Sequence, residues 1–183
     1  MKLGHVIAAT VLLTPIPFAG MTNPAAAFSP HTVVVSGLLR VEDSGSTFSI
    51  PPNKRHLVNL NIPPTKFTLT HTRPTHRAVH KACAAEETQG QLTISLVLQP
   101  SERVDALAEL KLFEESHCEN YDLDGTDWAS VSVPPGQTGR IENLFVTNSQ
   151  EYDSWDNASA SVTIDHWFKV NRLKKICPNK QAC

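Results

Sequence analysis

Apolar and polar residues alternate in short runs along this chain, a pattern typical of β-strands rather than helices. In 56–62 (HLVNLNI), Val58, Leu60 and Ile62 fall on one face, and 91–98 (QLTISLVL) places four Leu or Ile residues in phase. Pairs of prolines, such as Pro63-Pro64, follow several of the runs. Because proline has no backbone N–H to donate, these pairs are expected to mark the ends of strands.

The pattern predicts about nine strands, with turns every 8–15 residues. They are 32–41, 47–50, 56–62, 66–72, 91–98, 104–112, 128–133, 140–147 and 158–170. One segment, 102–115, could be a helix instead of a strand, because its apolar residues also recur at three-to-four spacing. Strands of this length and spacing indicate an all-β fold, an antiparallel β-sandwich, with a closed β-barrel as the alternative.

The cysteines predict that disulfides stabilise the fold. Four are present, Cys83, Cys118, Cys177 and Cys183, and four cysteines allow three pairings. A hairpin of 91–98 with 104–112 keeps the apolar residues of both strands on one face. Extending that hairpin brings Cys83 nearly opposite Cys118. We therefore predict Cys83–Cys118 and Cys177–Cys183, and expect the first to contribute ~3–4 kcal/mol in the chain-entropy model.

The N-terminus has the features of a secretory signal peptide. Lys2 precedes an apolar run that Pro15 and Pro17 interrupt, and the small residues of 25–27 (AAA) suit a signal peptidase. We predict a signal peptide over 1–27, with a cut nearer Gly20 as the alternative. A single domain over 28–175 and a disulfide-closed basic tail over 176–183 should follow. The expected location is secreted or extracellular, and no transmembrane segment is predicted.

Charge is distributed unevenly along the chain. The formal net charge is −2, which gives no argument for a nucleic-acid partner, and we predict none. The region 54–81 holds six Lys or Arg and no acid. Within it, the segment 71–80 contains three histidines, which invites a metal, but the neighbouring cations oppose one. We interpret this segment as a solvated cationic loop, with binding of an anionic polysaccharide or lipid headgroup as the alternative.

Two acidic loops, 115–127 and 148–157, are the candidate metal site. Calcium binds six to eight oxygen atoms, and Asp-rich turns of β-sandwiches often supply them. The spacing of the helix–loop–helix calcium motif is absent. The alternative is that Asp and Gly simply form tight turns and keep a sheet edge soluble. The candidate calcium ligands are Asp122, Asp124, Asp127, Asp153 and Asp156.

Aromatic residues accompany these acidic loops and are the candidate ligand contacts. Both tyrosines and two of the three tryptophans lie in or beside them: Tyr121, Trp128, Tyr152 and Trp155. Aromatic rings stack on sugars and anchor protein interfaces. Trp167 is out of phase with the apolar face of its strand and is expected to be exposed. His166 is in phase and is expected to be an inward or edge residue that a neighbour satisfies.

No arrangement of nucleophile, base and acid stands out from chance, so catalysis is the less favoured interpretation. The sequence lacks G-x-S-x-G and H-E-x-x-H motifs. We therefore expect a secreted, non-catalytic recognition domain for a glycan or protein, with calcium as the candidate cofactor. The alternatives are a structural or stress-protective secreted protein, and a secreted hydrolase. The pattern does not define an oligomeric state.

Overall fold

The computed structural model describes residues 29–44, 55–85, 87–114, 118, 122–148 and 156–168. Eight strands form within these ranges: β1 (His31–Asp43), β2 (His56–Leu69), β3 (Thr75–Ala84), β4 (Thr88–Leu98), β5 (Val104–Glu114), β6 (Asp122–Val133), β7 (Thr138–Thr147) and β8 (Asn157–Phe168). The predicted signal peptide, strand 47–50 and the tail 176–183 lie outside the described residues. So does the predicted pair Cys177–Cys183.

The strands form two antiparallel four-stranded sheets, which confirms the sandwich. One sheet has the order β2-β1-β8-β7 and the other β3-β4-β5-β6. Each sheet keeps two open edges, so the barrel alternative is wrong. Within the described part of the chain, no helix has the length and apolar character that a membrane crossing requires.

The core lies between the sheets and follows the period-two alternation of the sequence. Leu92, Ile94 and Leu96 of β4 are buried, and they share one cluster with Leu39 and Ile164 of the other sheet. Burial of these faces is the main stabilising contribution, because free energy falls with the apolar area removed from water.

The β4–β5 hairpin has the predicted register. Leu98 pairs with Val104 and Leu96 with Ala106, and β5 is a strand rather than the alternative helix over 102–115. The deciding factor is that strand pairing buries every second residue of β5. A helix would have left the apolar face of β4 without this partner.

The Cys83–Cys118 disulfide is present, which confirms the prediction, but it forms by a different route from the one predicted. Cys83 lies on β3, a separate strand, where it pairs with Gln89 of β4. Cys118 follows the end of β5, and its carbonyl oxygen accepts a hydrogen bond from the Gln89 side chain at 2.7 Å. The bond therefore ties the segment after β5 across β4 to the edge strand.

The predicted strands 56–62 and 66–72 form one strand, β2 (His56–Leu69), because Pro63-Pro64 does not end the first of them. The register against β1 shifts there: Val35 pairs with Thr65, but Gly37 pairs with Ile62. The two prolines therefore occupy a bulge in a continuous strand. β2 is an edge strand, where a proline without an N–H group interrupts pairing with only one neighbouring strand.

The segment 75–80, predicted as part of a cationic loop, instead belongs to strand β3. Its burial alternates: Arg77, Val79 and Lys81 are exposed, while Ala78 and His80 are half-buried. β3 is the edge of its sheet, which accounts for the two outward cations, Arg77 and Lys81. Burial lowers the pKa of His80, so its imidazole is held in the neutral form.

Candidate functional site

The predicted loop 115–127 is too long, because strand β6 already begins at Asp122. Thr126 pairs with Lys111 of β5, and an extra residue, Asp124, forms a bulge where Gly125 follows. Gly125 leaves space for the Val146 side chain, since a Cβ atom there would lie 2.5 Å from Val146 Cγ1. Pairing and packing thus override the low strand propensity of Asp and Gly.

Asp127 joins the two sheets. Its Oδ1 accepts from the Trp128 amide at 2.8 Å, and its Oδ2 accepts from the Phe145 amide at 3.0 Å. Trp128 lies on β6 and Phe145 on β7, which belong to different sheets. The Asp127 carboxylate therefore accepts hydrogen bonds from backbone amides of both sheets, at an edge where the two sheets do not pair with each other.

Asp156 has a comparable structural role at the same end of the sandwich. Its side chain is 3% exposed, and its two oxygens accept from the Ser44 amide at 2.9 Å and the Thr88 hydroxyl at 3.0 Å. Nearby, Asn148 Nδ2 donates to Glu114 Oε2 at 2.6 Å, so β5 and β7 end close together.

We expect Asp156→Ala to lower the free energy of unfolding by about 2–3 kcal/mol, because a buried donor that loses a charged acceptor keeps its desolvation cost. Urea denaturation measures the change. Asp122→Ala is the matched control, since this exposed carboxylate should contribute within about 0.5 kcal/mol. Equal effects of the two substitutions would contradict the structural role of Asp156.

The predicted calcium ligands do not form a cluster in the described part of the chain. There, one group of three or more ligating side chains has its ligand atoms within 4.8 Å of one another, and its members are His31, His71 and Glu102. Asp122, Asp124, Asp127 and Asp156 are not among them. Asp153 lies outside the described residues, so calcium binding by the acidic loops stays a prediction.

Two of the tryptophans are exposed on opposite faces of the sandwich. Trp128 is 65% exposed on the β3–β6 sheet, and Trp167 is 63% exposed on β8, as its phase indicates. Tyr121, Tyr152 and Trp155, the other predicted ligand contacts, lie outside the described residues. The described aromatic residues are thus separated, and each must be considered with its own neighbours.

A cleft of about 150 Å³ lies beside Trp167, at the end of the sandwich opposite Asp156. It is lined by Gly136, Gln137, Thr138, Asp165, His166 and Trp167. The β6–β7 turn is pinned to β8 by two backbone bonds, from the Gly136 amide to the His166 carbonyl at 2.7 Å and from the His166 amide to the Gln137 carbonyl at 2.9 Å. Gly136 has φ 77°, a left-handed conformation that glycine adopts without strain.

Behind this cleft, four polar side chains meet at the end of the core. His31 begins β1 and His166 lies on β8, and both are buried between the sheets. His71 lies in the turn between β2 and β3, which backbone bonds between Thr70 and Arg73 close. Glu102 lies in the β4–β5 turn and has φ 64°, a left-handed conformation unusual for glutamate.

Hydrogen bonds order these side chains and define their tautomers. His166 Nδ1 donates to the Val133 carbonyl at 3.0 Å, since a carbonyl oxygen only accepts. In the neutral ring, His166 Nε2 then accepts from His31 Nδ1 at 2.8 Å. His31 Nε2 consequently faces the Glu102 carboxylate, and His71 Nε2 contacts the other Glu102 oxygen at 3.0 Å.

The electrostatics of the cluster agree with this order. Burial lowers the pKa of His166, although its hydrogen bond to Val133 opposes the shift, so the ring is held neutral. Burial acts to raise the pKa of Glu102, but hydrogen bonds and charge interactions with His71 and His31 together outweigh it and lower the pKa overall. The arrangement therefore places an ionised carboxylate beside two imidazoles, one of them buried.

Sequence reasoning found only part of this cluster. It predicted that His166 is an inward or edge residue satisfied by a neighbour; His166 is buried and bonds to Val133 and His31. It placed His71 in a cationic loop and did not select Glu102. One signal was present: His31 and His166 are in phase with apolar positions at the start of one strand and the end of another. Only the β1–β8 register brings them together, with Val33 opposite His166.

No protein-family model and no curated protein matches the chain. Solved structures with some likeness come from the Salmonella SPI-1 type III secretion injectisome. A structure of its secretin InvG has 9% sequence identity and a TM-score of 0.34, and the match covers 83% of this chain and 68% of that chain. A basal-body structure of InvG, PrgH and PrgK has 9% sequence identity and a TM-score of 0.34, and the match covers 83% of this chain and 48% of that chain. An open-gate InvG structure has 10% sequence identity and a TM-score of 0.29, and the match covers 81% of this chain and 63% of that chain. These values are too low to carry an argument about this chain.

Proposed function

We propose that the chain is a non-catalytic recognition domain that works outside the cytoplasm and binds a glycan at the cleft beside Trp167. The observation that carries this proposal is an exposed indole ring next to fixed polar side chains. Trp167 is exposed, and Asp165, Thr138 and Gln137 line the same cleft. An aromatic platform with hydrogen-bonding groups at its edge suits a sugar ring, which has an apolar CH face and a rim of hydroxyls.

The polar side of the cleft is held in place before any ligand arrives. Thr138 Oγ1 donates to Asp165 Oδ1 at 2.5 Å, across the β7–β8 pair. An ionised carboxylate accepts about four hydrogen bonds, so Asp165 keeps capacity for sugar hydroxyls. Preorganised groups reduce the entropy lost on binding.

The dimensions of the cleft favour one ring of a polymer over an enclosed small molecule. Its volume of about 150 Å³ lies below the roughly 300–1,000 Å³ of typical small-molecule pockets. An indole on an open sheet face leaves both ends of a saccharide chain in solvent. A surface site on an extended glycan therefore fits the geometry best.

The disulfide and the predicted leader support the proposed compartment. Cys83–Cys118 is the kind of structural bond that persists in oxidising surroundings. The predicted signal peptide over 1–27 agrees with export. Both features support work in an extracellular or other oxidising environment, where polysaccharides are abundant.

We expect Trp167→Ala to weaken glycan binding about 10- to 30-fold, because an aromatic anchor contributes roughly 1.5–2 kcal/mol. A glycan array identifies the ligand, and calorimetry with the best oligosaccharide measures the affinity. Trp128→Ala is the matched control, since its ring is as exposed but lies on the other sheet. Its affinity should equal that of the original chain.

Other outcomes assign the function differently. Loss of binding on Trp128→Ala instead would move the site to the β3–β6 sheet. An empty array, with a partner protein captured by the immobilised chain, would replace the glycan by a protein. An empty array without a partner would favour the structural or stress-protective role, and cleaved oligosaccharide would indicate a hydrolase. Adding calcium or a chelator tests the predicted calcium assistance separately.

A further inference from the structure

We propose that His31, His71 and Glu102 bind a divalent transition-metal ion of the zinc class. Two imidazole nitrogens and a carboxylate oxygen lie within 4.8 Å of one another. They come from the start of β1, the β2–β3 turn and the β4–β5 turn. Neutral imidazole and carboxylate are ligands that zinc accepts, usually as three protein groups with a fourth position open to water.

The hydrogen-bond order directs a ring nitrogen of His31 toward Glu102. His31 Nδ1 donates to His166 Nε2, so the opposite ring nitrogen, Nε2, is the one that contacts the Glu102 carboxylate. A bound metal ion would take this nitrogen and the carboxylate as two of its ligands.

The outer contacts match those around known metal-binding histidines. Such a histidine usually donates its second ring N–H to a fixed acceptor, which sets its orientation. His31 Nδ1 donates to His166, and His166 Nδ1 in turn donates to the Val133 carbonyl. These buried partners hold the His31 nitrogen toward His71 and Glu102.

The proposed metal site is closed to solvent on the side of His31 and open on the side of His71 and Glu102. The His31 side chain is fully buried, while those of His71 and Glu102 are 24% and 34% exposed. Glu102 has a left-handed backbone, which is strained for a residue with a side chain, and strain of this kind clusters at binding sites. The ion would enter from the turn side and link both sheets.

The test is titration of zinc into the full chain after removal of metal with a chelator. Calorimetry should show one zinc per chain, and the melting temperature should rise with zinc. We expect His71→Ala and Glu102→Gln each to weaken zinc at least about 100-fold, since loss of a direct ligand exceeds the 10- to 100-fold effect of outer contacts. His71 lies in a turn, so His71→Ala should fold; circular dichroism checks both variants.

His76→Ala is the control, because this exposed histidine lies on β3, five positions from His71, and its ring packs on Phe67 outside the cluster. It should bind zinc as the original chain does. Absence of zinc binding would leave only the His31–Glu102 ion pair and overturn the proposal. So would unchanged affinity in both ligand variants, or a loss in His76→Ala as large as theirs. Glycan binding is measured independently of this result.

Discussion

Replacing Cys83 and Cys118 together by serine is expected to lower the free energy of unfolding by about 3–4 kcal/mol. The two residues are 35 positions apart, so the disulfide removes much of the freedom of the unfolded chain. Urea denaturation of the double variant measures the loss. The effect should be large, since small domains are stable by only about 5–15 kcal/mol.

The control is the double variant Cys177→Ser and Cys183→Ser. Its predicted loop is much shorter, so the same model gives a smaller loss. If both double variants lose equal stability, the long loop is not the source of the effect. If the Cys83 and Cys118 variant is as stable as the original chain, the chain-entropy account fails for this disulfide.

Leu110→Ala is expected to cost about 3 kcal/mol. Leu110 is fully buried on β5, where it pairs with Leu92 of β4 in the centre of its sheet. Truncation removes apolar burial and leaves a cavity that close-packed neighbours fill only partly, which costs about 2–5 kcal/mol in comparable cores. Urea denaturation again measures the change.

Leu107→Ala is the matched control on the same strand. Leu107 faces away from the core and is 41% exposed, so its truncation should cost well under about 1 kcal/mol. Equal losses at the two positions would mean that β5 does not present alternate residues to the core. The inward and outward assignment of the whole strand would then be wrong.

Patterns that repeat every second residue were sufficient to predict the sandwich. The register of β4 with β5 followed from keeping Leu96 and Ala106 on one face, and Trp167 was expected on the outside for the same reason. Such predictions succeed because one local rule decides both strand formation and burial.

Features that depend on edges and distant contacts were missed. Strand β3 was not predicted, because a segment with exposed charges such as Arg77 and Lys81 has the sequence pattern of a loop. The continuity of β2 was not predicted, because Pro63-Pro64 has the sequence pattern of a strand end. The sequence shows the carboxylates of Asp127 and Asp156 but not the amides and the hydroxyl that donate to them.

The histidine–glutamate cluster was missed for a related reason. His31 and His166 are 135 positions apart, and Glu102 and His71 come from two turns. Their meeting depends on strand order, a property of the whole fold. No spacing along the chain encodes it, so only coordinates bring these residues to one place.

Each bulge in the two sheets lies in an outermost strand. The extra residues are at Pro63-Pro64 in β2, at Asp124 in β6 and at Glu142-Asn143 in β7, while β3 carries outward cations. A strand from a neighbouring molecule therefore finds broken or charged borders on all four sides. We expect the protein to resist fibre formation and to stay dispersed when it is concentrated.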